Sequence, residues 1–304
     1  MRIGLNGGAA TADRMIEQAA EAEADGFSSL WYASAIFGDP LVAMALAGRA
    51  TQRIELGTSV LQTYTSHPVL QANRAASTAA AMGRAGLTLG VGPSHQPVIE
   101  SMFGLSYANP GAHTEEYVTV LTTLLRGEPI SFNGEHITAN IPAVSPPPQP
   151  VSVMISALAP RLLRVAGEST DGTILWMANA RAIDVHVAPR ITKAARDAGR
   201  PAPRIVAGLP VAVHDDVDEA RNAAAKQFAN YGVLPNYRRI LDIGEAPGPA
   251  DAAIVGDEAA VADQIQSLFD AGATDVWAAV FPVGEDKSAS RRRSRALLKE
   301  LANS

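Results

Sequence analysis

A (β/α)8 barrel is the fold this sequence predicts, and three observations predict it. Short apolar runs alternate with amphipathic helical stretches along nearly all of the 304 residues. Strict alternation over ~250 residues or more is the pattern of such a barrel. No G-x-G-x-x-G follows the first apolar run and no Walker loop occurs, so the usual marks of a doubly wound sheet are missing. Hydrophobic residues make up 47% of the chain, against 18% charged and 5% aromatic. A large core must therefore be built mainly from Ala, Val, Leu and Ile. One domain over residues 1–304 is expected, with residues 93–150 inserted into it after the fourth strand.

The elements follow in order. Arg2–Leu5 reads as the first strand. Thr11 caps a helix over Ala12–Ala24, which Gly26 ends. Ser29–Tyr32 is the second strand. Asp39-Pro40 opens a helix through Thr51, with Asp as its cap and Pro in its first turn. Ile54–Val60 is the third strand, His67-Pro68 begins an Ala-rich helix ending near Gly83, and Leu87–Val91 is the fourth strand. The insertion carries a helix, Glu115–Leu125, and a hairpin of Ile130–Asn133 with Glu135–Thr138, turning at Asn133-Gly134. It closes in the rigid extended stretch Ser145-Pro146-Pro147-Pro148-Gln149-Pro150. It is too short and too poor in apolar residues for a core of its own. Alternation then resumes with strands Val151–Ile155, Gly172–Trp176, Ile205–Val213 and Asp275–Phe281. The helices among them are Pro160–Glu168, Ile183–Ala198, Val217–Tyr231 and Ala259–Ala271, and Ala289–Leu301 closes the chain.

Composition narrows the function. The chain has no cysteine, so disulfides, thiolate nucleophiles and thiolate metal sites are excluded. Lys+Arg 25 against Asp+Glu 31 gives a net charge of −6, and without a basic stripe nucleic acid is not an expected partner. The run Arg291–Arg295 reads as a solvated helix face. No window approaches the ~20 apolar residues of a membrane span, and the opening MRIGLN carries no signal segment. A cytoplasmic protein acting on a small molecule is expected.

In such barrels ligands bind at the C-terminal ends of the strands. The strand ends here present Asn6-Gly7-Gly8, then Ala33–Phe37, Ser59–Tyr64, Gly90–His95, Ser156–Arg161, Trp176–Asn179 and Phe281–Val283. This rim has almost no Asp or Glu. It has no His–carboxylate cluster of metal-ligand spacing, no acid pair for glycoside hydrolysis and no G-x-S-x-G elbow, so no metal is expected. Its small residues let a large flat ligand lie against backbone. The turn Ser156-Ala157-Leu158-Ala159-Pro160-Arg161 runs into a helix N-terminus. Free N–H groups and the helix dipole suit a phosphate there, with Arg161 able to add charge. The alternative is an ordinary tight turn with Arg161 solvated.

Ile54–Leu61, followed by Tyr64 and His67-Pro68, resembles the third-strand motif of the bacterial-luciferase-like superfamily. Leu87–Gly92 resembles its fourth-strand motif. Ala157–Leu163, with Ala166-Gly167-Glu168 and Asp171-Gly172, resembles its fifth-strand phosphate turn and the helix that follows. The resemblance extends through Gly208–Val213 and Val255-Gly256-Asp257. It is closest to the luciferase-like oxidoreductases dependent on coenzyme F420, a deazaflavin that transfers hydride. It implies a homodimer and a cis peptide at Ser59-Val60, where relatives support the coenzyme ring on a bulge. By this resemblance Ser59, Val60 and Thr63 line the ring, and Gly90 and Gly92 lie near its edge or side chain. Ala157, Leu158 and Ala159 carry the phosphate, and Trp176 and Met177 flank the tail or ring. An FMN-dependent monooxygenase of the same fold is the alternative. A barrel that binds such a coenzyme without catalysis is the reading outside the enzymes.

The sequence departs from the superfamily in one respect. Where many relatives end strand two with an acid and a His, this chain has Ser34 and Ala35. Where sugar-phosphate dehydrogenase relatives carry Glu after strand four, it has His95. This argues against the sugar-phosphate reaction and against luciferase chemistry. His95 becomes the candidate proton carrier, since an imidazole titrates near neutrality; the plain alternative is a histidine bonded to its own loop. Tyr64 either donates to a substrate carbonyl or packs. Asn6, Ser34 and Phe37 are the candidate substrate contacts. His67 reads as a helix cap; His113 and His136 lie in the insertion, where His113 is expected to be exposed, the alternative being that it enters the pocket from a lid.

Overall fold

Eight parallel strands close on themselves. The computed structural model describes residues 1–8, 11–34 and 38–304. In chain order its strands are β1 (Ile3–Gly7), β2 (Ser29–Tyr32), β3 (Glu55–Thr58), β4 (Leu61–Gln62), β5 (Leu87–Gly92), β6 (Ile130–Asn133), β7 (Thr138–Ile141), β8 (Val151–Ile155), β9 (Gly172–Trp176), β10 (Arg204–Val213), β11 (Ile254–Gly256) and β12 (Asp275–Val280). The ring runs β1-β2-β3-β5-β8-β9-β10-β12 and back to β1, every pairing parallel. This is the expected barrel. β4 and β11 extend it at the rim through β5 and β10, and β6–β7 form a separate antiparallel hairpin.

Helices cover the outside: α1 (Ala12–Ala24), α2 (Pro40–Ala50), α3 (Pro68–Met82), α4 (Pro110–Leu125), α5 (Pro160–Ser169), α6 (Ala180–Ala182), α7 (Ala188–Asp197), α8 (Val217–Gln227), α9 (Pro235–Ile243), α10 (Pro249–Ala252), α11 (Glu258–Asp270) and α12 (Lys287–Ala302). The expected caps Thr11 and Asp39 are present: Thr11 accepts from the Arg14 N–H and Asp39 from Leu41. Asp257, which the sequence did not single out as a cap, accepts from Ala260. His67 Nδ1 accepts from Val69, a structural role.

Four local expectations need correction. The hairpin does not turn tightly at Asn133-Gly134; Asn133 pairs with Thr138, leaving a four-residue loop over 134–137. The Glu116 carboxylate of α4 holds that loop, accepting from the N–H groups of Glu135, His136 and Ile137 at 2.9, 2.8 and 2.8 Å. The helix expected over 183–198 is broken, with a π-turn at Ile183–Val187 ahead of α7. The stretch 235–256 carries α9, α10 and β11, none of them expected. The Arg291–Arg295 run is not simply solvated: Arg293 pairs with Glu258 and Asp215, and Arg295 pairs with Asp25 and lies over the Phe27 ring.

The main core lies between barrel and helices. A smaller one fills the barrel itself: Trp31, Met154, Ile174, Val206 and Trp277. Glycines on neighbouring strands make room for the two indoles. A Cβ on Gly57 would stand 2.3 Å from Trp31, and one on Gly208 would stand 2.1 Å from Trp277. The N-terminal end of the barrel is closed by ions. Arg2 and Arg204 each bond both Glu55 and Asp275, at 2.6–2.9 Å. No helix among the described residues is long and apolar enough to cross a membrane.

Candidate functional site

A cavity of about 570 Å³ opens at the C-terminal end of the barrel, where barrel ligands bind. Of the residues singled out from sequence, Asn6, Ser34, Ser59, Val60, His95, Leu158, Ala159 and Trp176 lie on its wall. They come from six different strand ends and their loops, which only the closed ring brings together.

The Ser59–Val60 peptide is cis, as the resemblance implies. Ser59 Oγ is buried without a hydrogen-bond partner. Gly90 and Gly92 do not face the cavity; they make room behind its wall. A Cβ on Gly90 would lie 2.0 Å from the Thr58 carbonyl, and one on Gly92 would lie 2.0 Å from Ser156 Oγ and 3.0 Å from Val60. Their smallness is what lets β5 approach the Thr58–Val60 backbone.

The turn into α5 is a backbone site. Ala159 caps the helix with no side-chain bond and Pro160 follows it, so the first-turn N–H groups lack the partner a polar cap would bring. Leu158 O bonds His186 Nε2 at 2.9 Å. A carbonyl only accepts, so Nε2 carries the proton. Across a trans peptide N–H and C=O point oppositely, so this bond turns the Ala159 N–H away from His186. His186 is 5% exposed and sits on the π-turn Ile183–Val187, an element frequent at functional sites. Burial pushes its pKa down. Sequence reading missed it.

Besides Gly90 and Gly92, five residues singled out from sequence lie off the wall. Arg161 points along the outside of α5 and bonds Glu115 at 2.9 Å, so its guanidinium is already paired. Tyr64 stacks on His113, ring centroids 3.9 Å apart and 5° from parallel, and donates to Ala108 O at 2.8 Å. Burial pushes its pKa up to about 12, with Tyr107 adding to the effect. That makes it packing for the insertion. His113 beneath it is buried, not exposed. Thr63, Ala157 and Met177 are also buried away from the opening. Phe37 lies outside the described residues.

His95 does reach the cavity. It is half-buried, and burial pushes its pKa below the usual imidazole value. Ser94 before it takes a left-handed conformation, φ 64°, uncommon for a residue with a side chain. Tyr107 donates to Ser94 O at 2.8 Å and pins that turn. Facing His95 is Tyr237, with ring centroids 5.4 Å apart. Tyr231, Asn236 and Tyr237 of the wall come from the stretch around α9, and Trp277 from β12. The wall carries no Asp, Glu, Lys or Arg among the described residues, and no group of three metal-ligating side chains is found among them.

Comparison with known proteins agrees with this geometry. The chain is 27% identical over 288 residues to 5,10-methylenetetrahydromethanopterin reductase of Methanopyrus kandleri, covering 80% of this chain and 81% of that one. The solved structure of the coenzyme F420-dependent tetrahydromethanopterin reductase of Methanopyrus kandleri matches with a TM-score of 0.76 at 21% identity, covering 98% and 97%. The oxygenating constituent of 3,6-diketocamphane monooxygenase of Pseudomonas putida, in complex with FMN, matches with a TM-score of 0.74 at 19% identity, covering 99% and 97%. The sequence profile of the luciferase-like monooxygenases matches residues 2–286. With a closed parallel barrel, an insertion after β5 and a cavity at the strand ends, the chain belongs to the luciferase-like monooxygenase family of oxidoreductases.

Proposed function

We propose that this protein is a coenzyme F420-dependent oxidoreductase that exchanges hydride with a small organic substrate. The observation that carries the reading is one cavity that joins Ser59–Val60, with the unpartnered Ser59 hydroxyl, to the uncapped N-terminus of α5. A flat ring with a phosphate-bearing side chain needs those two features together. The 27% identity to the Methanopyrus kandleri reductase, whose solved structure is described as coenzyme F420-dependent, is what favours the deazaflavin over FMN in this reading.

The residues divide the work by position. The Ser59–Val60 backbone backs the ring, and Ser59 Oγ supplies a hydrogen bond to its edge. The first-turn N–H groups of α5 and the positive end of the helix hold the phosphate. His186 keeps the Ala159 N–H turned for that contact. When bound, the deazaflavin donates or accepts a hydride. His95 moves the proton at the substrate oxygen: as imidazole it takes one from an alcohol, and as imidazolium it returns one to a forming alkoxide. The aromatic side of the wall, Trp176, Phe228, Tyr231, Tyr237 and Trp277, limits water at the reacting atoms.

In this reading the coenzyme is held without a covalent bond and its phosphate by backbone groups, so binding is reversible. The purified protein is expected to carry no stoichiometric flavin absorbance. Titration followed by coenzyme fluorescence is expected to saturate with F420 and to show binding of FMN at least about tenfold weaker, a gap of ~1.4 kcal/mol. Tighter binding of FMN, with oxygen uptake by the reduced complex, would instead make the protein a monooxygenase.

The reading includes a homodimer. Val42 and Leu46 on α2 and Leu70 on α3 are 61%, 45% and 61% exposed, on helices that pack side by side. Apolar side chains grouped in this way favour an interface. Sedimentation is expected to give twice the chain mass, and Leu46→Asp with Leu70→Asp is expected to give monomer. A monomeric parent protein at micromolar concentration would remove this part of the reading.

A further inference from the structure

We propose that the half of the cavity facing away from Ser59–Val60 selects an uncharged, ring-bearing carbonyl compound. The inference rests on the coenzyme reading above and names its substrate class. In the ring of eight strands, β3 and β10 are four places apart in either direction, so they face each other across the barrel. Ser59 and Val60 follow β3. The wall opposite is built from β9, β12 and the segment after β10, and it is aromatic.

The rings there form a continuous series. Trp277 stacks on Trp176 with centroids 5.1 Å apart. Trp176 meets Tyr231 edge-on at 5.6 Å, and Tyr231 meets Tyr237 edge-on at 5.0 Å. Tyr237 lies 5.4 Å from the His95 imidazole. The series therefore runs from the barrel centre to the proton carrier. A planar ring laid along it finds stacked or edge-on partners over its length, and its carbonyl reaches His95 at the end. In the step so placed, a bound reduced deazaflavin would supply the hydride and be left oxidised; the hydride electron pair would form the new C–H bond as the C=O π bond opens, and the oxygen would take its proton from the His95 imidazolium, which is left as imidazole. The alcohol returns by the same path.

Charge is the second argument. The wall holds no Lys, Arg, Asp or Glu among the described residues, and residues 9–10 and 35–37 are Ala, Ala, Ala, Ile and Phe. A substrate carboxylate or phosphate entering this half would lose water and gain no counter-charge. The backbone anion site at α5 is taken by the coenzyme phosphate in this reading.

Two probes that differ by one carboxylate test the proposal: 2-acetylnaphthalene and 6-acetyl-2-naphthoate. Binding is measured by equilibrium dialysis against the protein, with and without saturating F420. The neutral ketone is expected to bind at least about tenfold more tightly than the naphthoate (one decade in Kd). Tyr231→Ala is expected to weaken the ketone. Tyr231→Arg, at a half-buried position and checked for folding by its thermal melt, is expected to narrow or reverse the preference. Equal or tighter binding of the naphthoate by the parent protein overturns the proposal. So does no measurable binding of the ketone at its solubility limit, or a preference that Tyr231→Arg leaves unmoved. If F420 fails to bind while the ketone preference and its Tyr231 dependence hold, the coenzyme reading falls and the wall's selectivity stands. If F420 binds and the preference is absent, only the substrate class falls.

Discussion

His95→Ala is expected to lower turnover by roughly 10²–10⁴-fold, the usual contribution of a positioned general acid or base. Coenzyme affinity should stay within a few-fold, because Ser59–Val60 and the turn at α5 are untouched. The wall has no carboxylate among the described residues to replace the imidazole, and Tyr64, the other catalytic candidate, is turned away with its hydroxyl bonded to Ala108. The pH dependence has a definite sign. Burial lowers the His95 pKa below 6.5, so at neutral pH the ring is mostly imidazole. Alcohol oxidation needs that base form, and its rate falls as pH drops through the lowered pKa. Carbonyl reduction needs the imidazolium, and its rate falls as pH rises through the same value. His95→Ala removes this limb in both directions. An alanine variant with unchanged turnover, or one that keeps the limb, would assign the proton to bound water instead. Tyr107→Phe offers a milder check: it removes the bond that pins Ser94, and it should lower turnover more than it weakens coenzyme binding.

How much of this was legible in the sequence depended on whether a residue acts through its place on a strand or through a distant partner. The barrel strands were legible because each is a short apolar run between turn signals, and the rim residues Asn6, Ser34, Ser59, His95 and Trp176 followed from strand ends alone. Arg161 was misplaced because its neighbour in sequence is the anion turn, while its side chain leaves on the outer face of α5. There it meets Glu115, 46 residues away, a partner no local pattern reveals. Tyr64 failed for a similar reason, since His113 from the inserted helix packs against it. His186 was hidden in what reads as one uninterrupted helix; the π-turn that interrupts it has no sequence signal of its own. Tyr231, Asn236 and Tyr237 come from a Pro- and Gly-punctuated stretch with short helices and little apolar periodicity. The signal that could have found them was the cluster of aromatic residues at 228–237 directly after the seventh barrel strand and its helix.

Asp275→Ala is expected to destabilise the protein by about 3–5 kcal/mol, the range for breaking a buried ion pair. The melting temperature should fall by roughly 6–10 °C, scaling from ~2 °C per kcal/mol for large domains. Asp275 is 1% exposed at the N-terminal end of β12. Burial alone would raise its pKa. The Arg204 hydrogen bond and charge, with Arg2 and Thr274, outweigh that and hold the carboxyl below its ordinary value. Its contribution is therefore complete above the unfolded-state pKa of ~3.9 and is lost as pH falls through that value toward the lower folded one. Removing the carboxylate leaves Arg204, a quarter exposed, to share Glu55 with Arg2. Two cations on one carboxylate, at the end of a barrel sealed by these four groups, is the source of the cost. The Arg204→Met, Asp275→Leu double variant removes the stranded charge and leaves Arg2 paired with Glu55, so it should recover part of the loss. The cavity lies at the opposite end of the strands, so coenzyme affinity should be unchanged below the melting transition. A double variant as unstable as Asp275→Ala would mean that strand packing, not the unpaired arginine, sets the cost. A single variant as stable as the parent would mean that the network contributes nothing net.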